Sequence, residues 1–228
     1  MTDLKKEAAI GALQLIDQQE VVGLGAGSTI GHLVKAIAEQ GALVKRVTFV
    51  SPSFDTIQLL LQYKLDVKPI ELVNKVDIYF DGCDQFDHQL NALKSGGGIH
   101  TYEKICAAMA GQFVLLGDSA KFVPNLDTTY PLAIEIIPAG LQFVMNTVQE
   151  KFQLITLTLR SGGFKIGPVR SDGGNYLVDA KFAAMPDLLE MNNIKLIPGV
   201  VDHSLFYQLA DIAVIASDSG TKRLTPAR

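Results

Sequence analysis

The chain has 228 residues, 48% hydrophobic and 19% charged, which is enough apolar material for one large or two modest folded units and excludes a disordered composition. Twenty Lys and Arg against 24 Asp and Glu leave a net charge of −4, which argues against a general phosphate-backbone binder and hence a nucleic-acid partner. The longest uncharged stretches, 21–34 and 136–149, are 14 residues each, short of the roughly 20 apolar residues of a transmembrane helix, so no membrane partner is expected.

The opening Met1-Thr2-Asp3-Leu4-Lys5-Lys6-Glu7 sets carboxylates on both sides of its lysines with no apolar run behind them, unlike a signal peptide. Val21–Leu24 reads as a short strand. The segment 29–39 reads as a helix with Ile30, Leu33, Val34 and Ile37 on one face. A strand at 47–50, a helix over about 53–63 opening at Ser51-Pro52-Ser53, a strand at 77–80, a helix over 99–110 and a strand at 113–116 follow. This alternation predicts parallel βαβ units. After Tyr130-Pro131 the rhythm changes to a strand at 134–137, a helix at 140–151 and strands at 154–159 and 176–182. Turn signals stand at Ser161-Gly162-Gly163 and Asp172-Gly173-Gly174. A buried-type strand at 212–216 is expected to return to the first sheet. The predicted architecture is α/β: a Rossmann-like parallel sheet flanked by helices, built from 1–130 with 205–228 returning, and a smaller α+β domain over 131–204 inserted in the C-terminal half.

Gly23-Leu24-Gly25-Ala26-Gly27-Ser28-Thr29 joins the first strand to the first predicted helix. Backbone N–H groups and the positive helix end make such a junction an anion site. A dinucleotide fingerprint is disfavoured, because Ile30 stands where a third glycine belongs and Ser51 where an acid ends the second strand. A Walker A loop lacks its lysine. A plain glycine turn with a Ser/Thr cap is the alternative to a small phosphate monoester.

Asp81-Gly82-Cys83-Asp84-Gln85-Phe86-Asp87 follows the strand at 77–80 and leads through Lys94-Ser95-Gly96-Gly97-Gly98 to Glu103. Carboxylates, a lysine, a glycine turn and a helical glutamate at the carboxyl edge of a parallel sheet form a proton-transfer set. The blander readings are Mg²⁺ ligation by Asp81, Asp84 and Asp87, an Asp-Gly turn, and a Glu103 that only complements the helix dipole. The four histidines, 32, 88, 100 and 203, lack metal-ligand spacing and read as surface or packing residues. Two cysteines are too few for a disulfide framework or a thiolate metal site. Cys106 reads as buried filler, and Cys83 as a thiol kept protonated by neighbouring carboxylates.

With these segments together, the chain resembles the type A ribose-5-phosphate isomerases across nearly its whole length. Besides the loops above, the resemblance rests on Glu103-Lys104-Ile105, Asp118-Ser119-Ala120-Lys121, the segment 130–138, Ser171-Asp172-Gly173-Gly174-Asn175 and the segment 197–203. It implies interconversion of ribose 5-phosphate and ribulose 5-phosphate without metal or organic cofactor, in a homodimer or dimer of dimers; the composition itself reads as that of a soluble cytoplasmic protein. The resemblance further implies Glu103 as general base, Asp81 and Asp84 as polar and ring-opening carboxylates, and Lys94 beside the reacting oxygens. Ala26, Gly27, Ser28, Thr29, the segment 81–84, Lys94, Ser95, Gly96, Gly97 and Lys121 fall at its substrate-binding positions. The chain departs from the family's common residues at Ala26, Cys83, Gln85, Ser95 and Tyr102. A sugar-phosphate sensor of related fold is the non-catalytic alternative, disfavoured by the absence of a helix-turn-helix extension and by the retained catalytic set.

Overall fold

The computed structural model describes residues 3–44, 46–163 and 166–227, so Met1 and Thr2 of the N-terminal reading lie outside the described residues. The chain opens with α1 (Leu4–Leu13), β1 (Val21–Leu24), α2 (Ser28–Ala38), the short α3 (Gly41–Val44), β2 (Thr48–Val50) and α4 (Phe54–Gln62). There follow β3 (Ile78–Asp81), the two-residue strands β4 (Gln85–Phe86) and β5 (Ala92–Leu93), α5 (His100–Met109) and β6 (Phe113–Asp118). The remainder is β7 (Leu132–Ile136), α6 (Leu141–Lys151), β8 (Leu154–Leu159), β9 (Tyr176–Phe182), α7 (Leu188–Asn192), β10 (Val200–His203), β11 (Leu205–Phe206), β12 (Ile212–Ser217) and β13 (Gly220–Leu224).

Three sheets result among the described residues. The largest runs β13-β12-β6-β3-β1-β2, parallel except for the β12–β13 hairpin. β10-β7-β9-β8 form an antiparallel sheet that leaves β8 at one edge, and β11-β5-β4 a small antiparallel ribbon. The returning strand expected at 212–216 is β12, parallel to β6.

Alternation along β3 shows how the large sheet is filled on both faces. Ile78 and Phe80 pack with Leu24, Phe49 and the apolar stripe of α2, while Tyr79 turns to Phe113, Cys106 and Phe206 on the other face. From β1 the chain crosses to β2 on one side and then to β3 on the other. The carboxyl ends of β1 and β3 therefore meet at the point where the strand order reverses, the crevice in which open parallel sheets bind ligands.

Several elements escaped the sequence reading, α1, β13, β10 and β11 among them. α1 buries only Ala8, Ala9 and Ala12 at full closeness, a small-residue face with little amphipathic contrast. β13 is an exposed edge strand, Gly-Thr-Lys-Arg-Leu, whose charges blunt that edge against further pairing. β10 with β11 carries the chain back to β5, where Lys94 N donates to Ser204 O at 2.9 Å.

Candidate active site

At the end of β1, Gly25 N donates to Phe80 O (2.8 Å) and Thr56 Oγ1 donates to Gly25 O (2.7 Å), locking the turn between two strand ends. A side chain cannot enter here, since a Cβ on Gly25 would sit 2.0 Å from the Asp81 carboxyl carbon. Gly25→Ala is therefore expected to push Asp81 out of place, costing about 1–3 kcal/mol of stability by overpacking together with most of the activity. Thermal melts and turnover rates matching wild type would contradict this.

Asp81, at the end of β3, is fully buried. It accepts from Ala26 N (3.2 Å), Gly82 N (2.8 Å) and Tyr79 Oη (2.5 Å), and it pairs with Lys94 Nζ at 2.9 Å. Lys94 Nζ also donates to Gly82 O (2.5 Å) and stands 3.4 Å from Glu103 Oε1. Burial alone would push the Lys94 pKa down, but Asp81 and Glu103 outweigh it and hold the ammonium above its ordinary value. Glu103 lies in the first turn of α5 and is 5% exposed. Burial, and then the Asp81 charge, lift its carboxyl to about 8 against the opposing pull of Lys94. Two buried carboxylates thus share one ammonium, and the surplus site holds a proton near neutrality.

The acidic loop and the glycine turn are tied by Asp84, whose Oδ2 accepts from Ser95 N (2.6 Å) and Gly96 N (3.1 Å). The turn continues through Gly98 at φ +78°, where a Cβ would also strike Leu177 at 2.6 Å. Lys121 Nζ donates to Cys83 O at 2.5 Å. A cavity of about 380 Å³ is lined by Ala26, Gly27, Ser28 and Thr29, by Gly82, Cys83 and Asp84, and by Lys94, Gly96, Gly97, Glu103 and Lys121. Of the sequence-derived set, Asp81 lies beneath this lining, and Ser95 turns its hydroxyl away to donate to Pro131 O. Asp87 is not brought in. It accepts from Gln89 N, Asn91 N and Asn91 Nδ2 within its own hairpin, so the three aspartates do not converge as a Mg²⁺ set.

Asp55 and Ile99 also line the cavity and were missed. Asp55 sits in the first turn of α4 after the Ser53 cap, so the cap signal at the end of β2 pointed to its place. Lys5, on the unforeseen α1, donates to Ser28 Oγ at 3.0 Å. The Cys83 thiol is pushed up to about 12, but the main cause is burial, with Asp84 and Asp81 contributing less than expected from the sequence. Cys106 is fully buried, as are His100 and His203, while His32 pairs with Asp3 at 3.3 Å.

A glycine-rich helix start beside a buried carboxylate–lysine–carboxylate set, at the switch point of a parallel sheet, is the arrangement of an α/β enzyme that handles a small polar substrate. The family model for ribose 5-phosphate isomerase A (phosphoriboisomerase A) matches residues 48–220. The chain is 33% identical over 227 residues to ribose-5-phosphate isomerase A of Pyrococcus horikoshii and 35% identical to that of Pyrococcus furiosus, covering 97% of each chain in both cases. A solved D-ribose-5-phosphate isomerase in complex with phospho-erythronic acid matches with a TM-score of 0.91 at 32% identity, over 99% of this chain and 100% of that one. Ribose 5-phosphate isomerase A from Methanocaldococcus jannaschii matches at 0.88 and 32%, over 98% of each. This chain belongs to the ribose-5-phosphate isomerase A family.

Proposed function

We propose that this protein interconverts D-ribose 5-phosphate and D-ribulose 5-phosphate through an enediolate, with Glu103 carrying the proton between C1 and C2. The observation that carries this reading is the buried contact of Glu103, Lys94 and Asp81 at the floor of a cavity rimmed by the anion loop. One carboxylate serves both carbons, removing a proton from one and returning it to the other, and a pKa raised toward neutrality suits both directions. Lys94 and the N–H groups of the 95–98 turn offer donors to the oxygen on which charge develops. Asp81 already accepts from three donors besides Lys94, which it holds. Asp84, which lines the cavity, is the better placed of the two to exchange a proton with the ring oxygen during opening.

The phosphate falls to residues 26–29, at the N-terminus of α2, with Lys121 and Lys5 as the cations. Ser28→Ala, Thr29→Ala and Lys121→Ala are expected mainly to raise KM, because they hold a part of the substrate that does not react. Unchanged KM in all three would move the phosphate elsewhere. The function itself is tested by following ribulose 5-phosphate formed from ribose 5-phosphate, alongside uptake of solvent deuterium at carbon. Binding with neither turnover nor exchange would leave a sugar-phosphate sensor.

The division into 1–130 with 205–228 and 131–204 is supported by the strands each sheet draws on. A homodimer or dimer of dimers through the smaller unit is supported by the exposed Phe143 and Ile155, and light scattering checks it. Two unpaired buried thiols, Cys83 and Cys106, suit a reducing compartment such as the cytoplasm. No helix among the described residues is long and apolar enough to cross a membrane.

A further inference from the structure

The Ser171–Asn175 turn lines none of the cavity over Glu103 and Lys94, yet it meets the helix that carries the base. Its anchor is Glu135, in the middle of β7 and 3% exposed. Glu135 Oε1 accepts from Ser171 Oγ (2.5 Å) and Asn175 Nδ2 (2.8 Å), and Oε2 accepts from Thr101 Oγ1. No lysine or arginine pairs with it among the described residues. The ring of His100 nearby is neutral at neutral pH, burial having pushed its pKa down to about 4. A buried carboxylate is thus kept by three neutral donors alone, a costly arrangement whose geometry is correspondingly demanding.

Thr101 lies in the first turn of α5, two residues ahead of Glu103. That turn has no side-chain cap of its own, since Ile99 stands at the cap position. First-turn N–H groups lack intrahelical acceptors, so an uncapped helix start is free to fray. Here the fastening comes from outside the helix. Thr101 is bonded to Glu135, and the Ser171–Asn175 turn lies against Gly98, Ile99 and Tyr102, with Asp172 and Gly173 closing a narrow crevice over them. The turn is itself closed by Ser171 N to Asn175 O (2.9 Å) and Gly174 N to Ser171 O (2.8 Å).

We propose that Glu135 is a positioning residue for the proton shuttle: acting through Thr101, it fixes the first turn of α5 and with it the carboxylate of Glu103. This rests on Glu103 being the base. Proton transfer at carbon tolerates little misplacement, and an error of about 1 Å can cost on the order of 10²-fold. The link therefore contributes to kcat while touching no substrate.

The test compares Thr101→Val, which keeps shape but removes the hydroxyl, with Thr101→Ser, which restores it. Thr101→Val is expected to lower kcat about tenfold with KM within about twofold and the melting temperature nearly unchanged, and Thr101→Ser to recover most of the loss. Glu135→Gln should fall in kcat at least as far, and adding Thr101→Val to it should cost little more, since both cut one link. Where Glu135→Gln does not fold, the two Thr101 variants decide alone. Wild-type kcat in Thr101→Val, equal losses in the Val and Ser variants, or a loss confined to KM would each overturn the proposal. Glu103→Gln, assayed in parallel, separates the two ideas. If that variant turns over like wild type, the base assignment fails. If it is inactive while Thr101→Val runs at full speed, only the tether fails.

Discussion

Glu103→Gln is expected to bind ribose 5-phosphate nearly as well as wild type and to lose essentially all turnover. The amide keeps the size and reach of the carboxyl, and its neighbour Lys94 still faces an oxygen, but it cannot accept a proton from carbon. General-base catalysis is typically worth about 10²–10⁴-fold, and removing the only shuttle should lie at or beyond the upper end. Calorimetric binding paired with deuterium uptake at C1 or C2 checks both halves of the expectation, and retained turnover would place the base elsewhere. The pH profile gives a second reading. The base must be deprotonated, so kcat/KM of the free enzyme should climb with pH and level off above about 8. The sign for stability is opposite. Below its unfolded pKa the carboxyl is protonated in both states. As pH rises from about 4.5 to about 8, the folded chain holds a proton that the unfolded chain has released, so this contribution to stability is lost across that window.

Lys94→Ala should be the single change to the site that costs most in stability, and it should also cut the rate sharply. It removes a donor aimed at charge that develops in the transition state, an interaction whose loss typically costs about 10²–10³ in kcat. It also leaves two buried carboxylates without their shared cation. Breaking a buried pair costs about 3–5 kcal/mol. Asp81 keeps three other donors and Glu103 readily takes up a proton, so the cost should sit near the lower end. For a chain of this length that is a fall of roughly 6–12 °C in melting temperature. A variant that melts like wild type would mean that the pair contributes nothing net to folding.

The parts of this molecule legible in its sequence are those where one residue pattern has one structural outcome. The stripe Ile30, Leu33, Val34, Ile37 is buried as read, and 154–159 and 176–182 are strands with the expected ends. The candidate site residues from 26 to 121 were legible as a group because they cluster at strand ends and in glycine-rich turns, where backbone chemistry announces itself locally. Lys5 was not, since its approach to Ser28 depends on α1, a helix held by three alanines rather than by an apolar stripe. Asp55 reads as an ordinary first-turn acid until the fold turns its helix start toward the cavity. The cause of the raised Cys83 pKa was misjudged for a related reason: charge neighbours are visible in sequence, whereas burial is a property of packing. Glu135 lies inside an apolar strand, and nothing local says what will reach it from residues 101, 171 and 175.

β8, the edge of the four-stranded sheet, bears on how the chain behaves when it is not fully folded. Its six residues, Leu154–Leu159, are Leu-Ile-Thr-Leu-Thr-Leu, with no charge, no proline and no glycine. Short β-prone segments of this kind, once unpaired, template cross-strand stacking between molecules. In the folded chain β9 satisfies one side only, and the flanking Lys151 and Arg160 are the charges that interrupt the run, with Arg160 held by Asp179 and donating to Ser95 O (2.7 Å). The same arginine that steadies the glycine turn is therefore also a gatekeeper against aggregation. Its loss should show first as poor solubility on refolding and only then as slow catalysis.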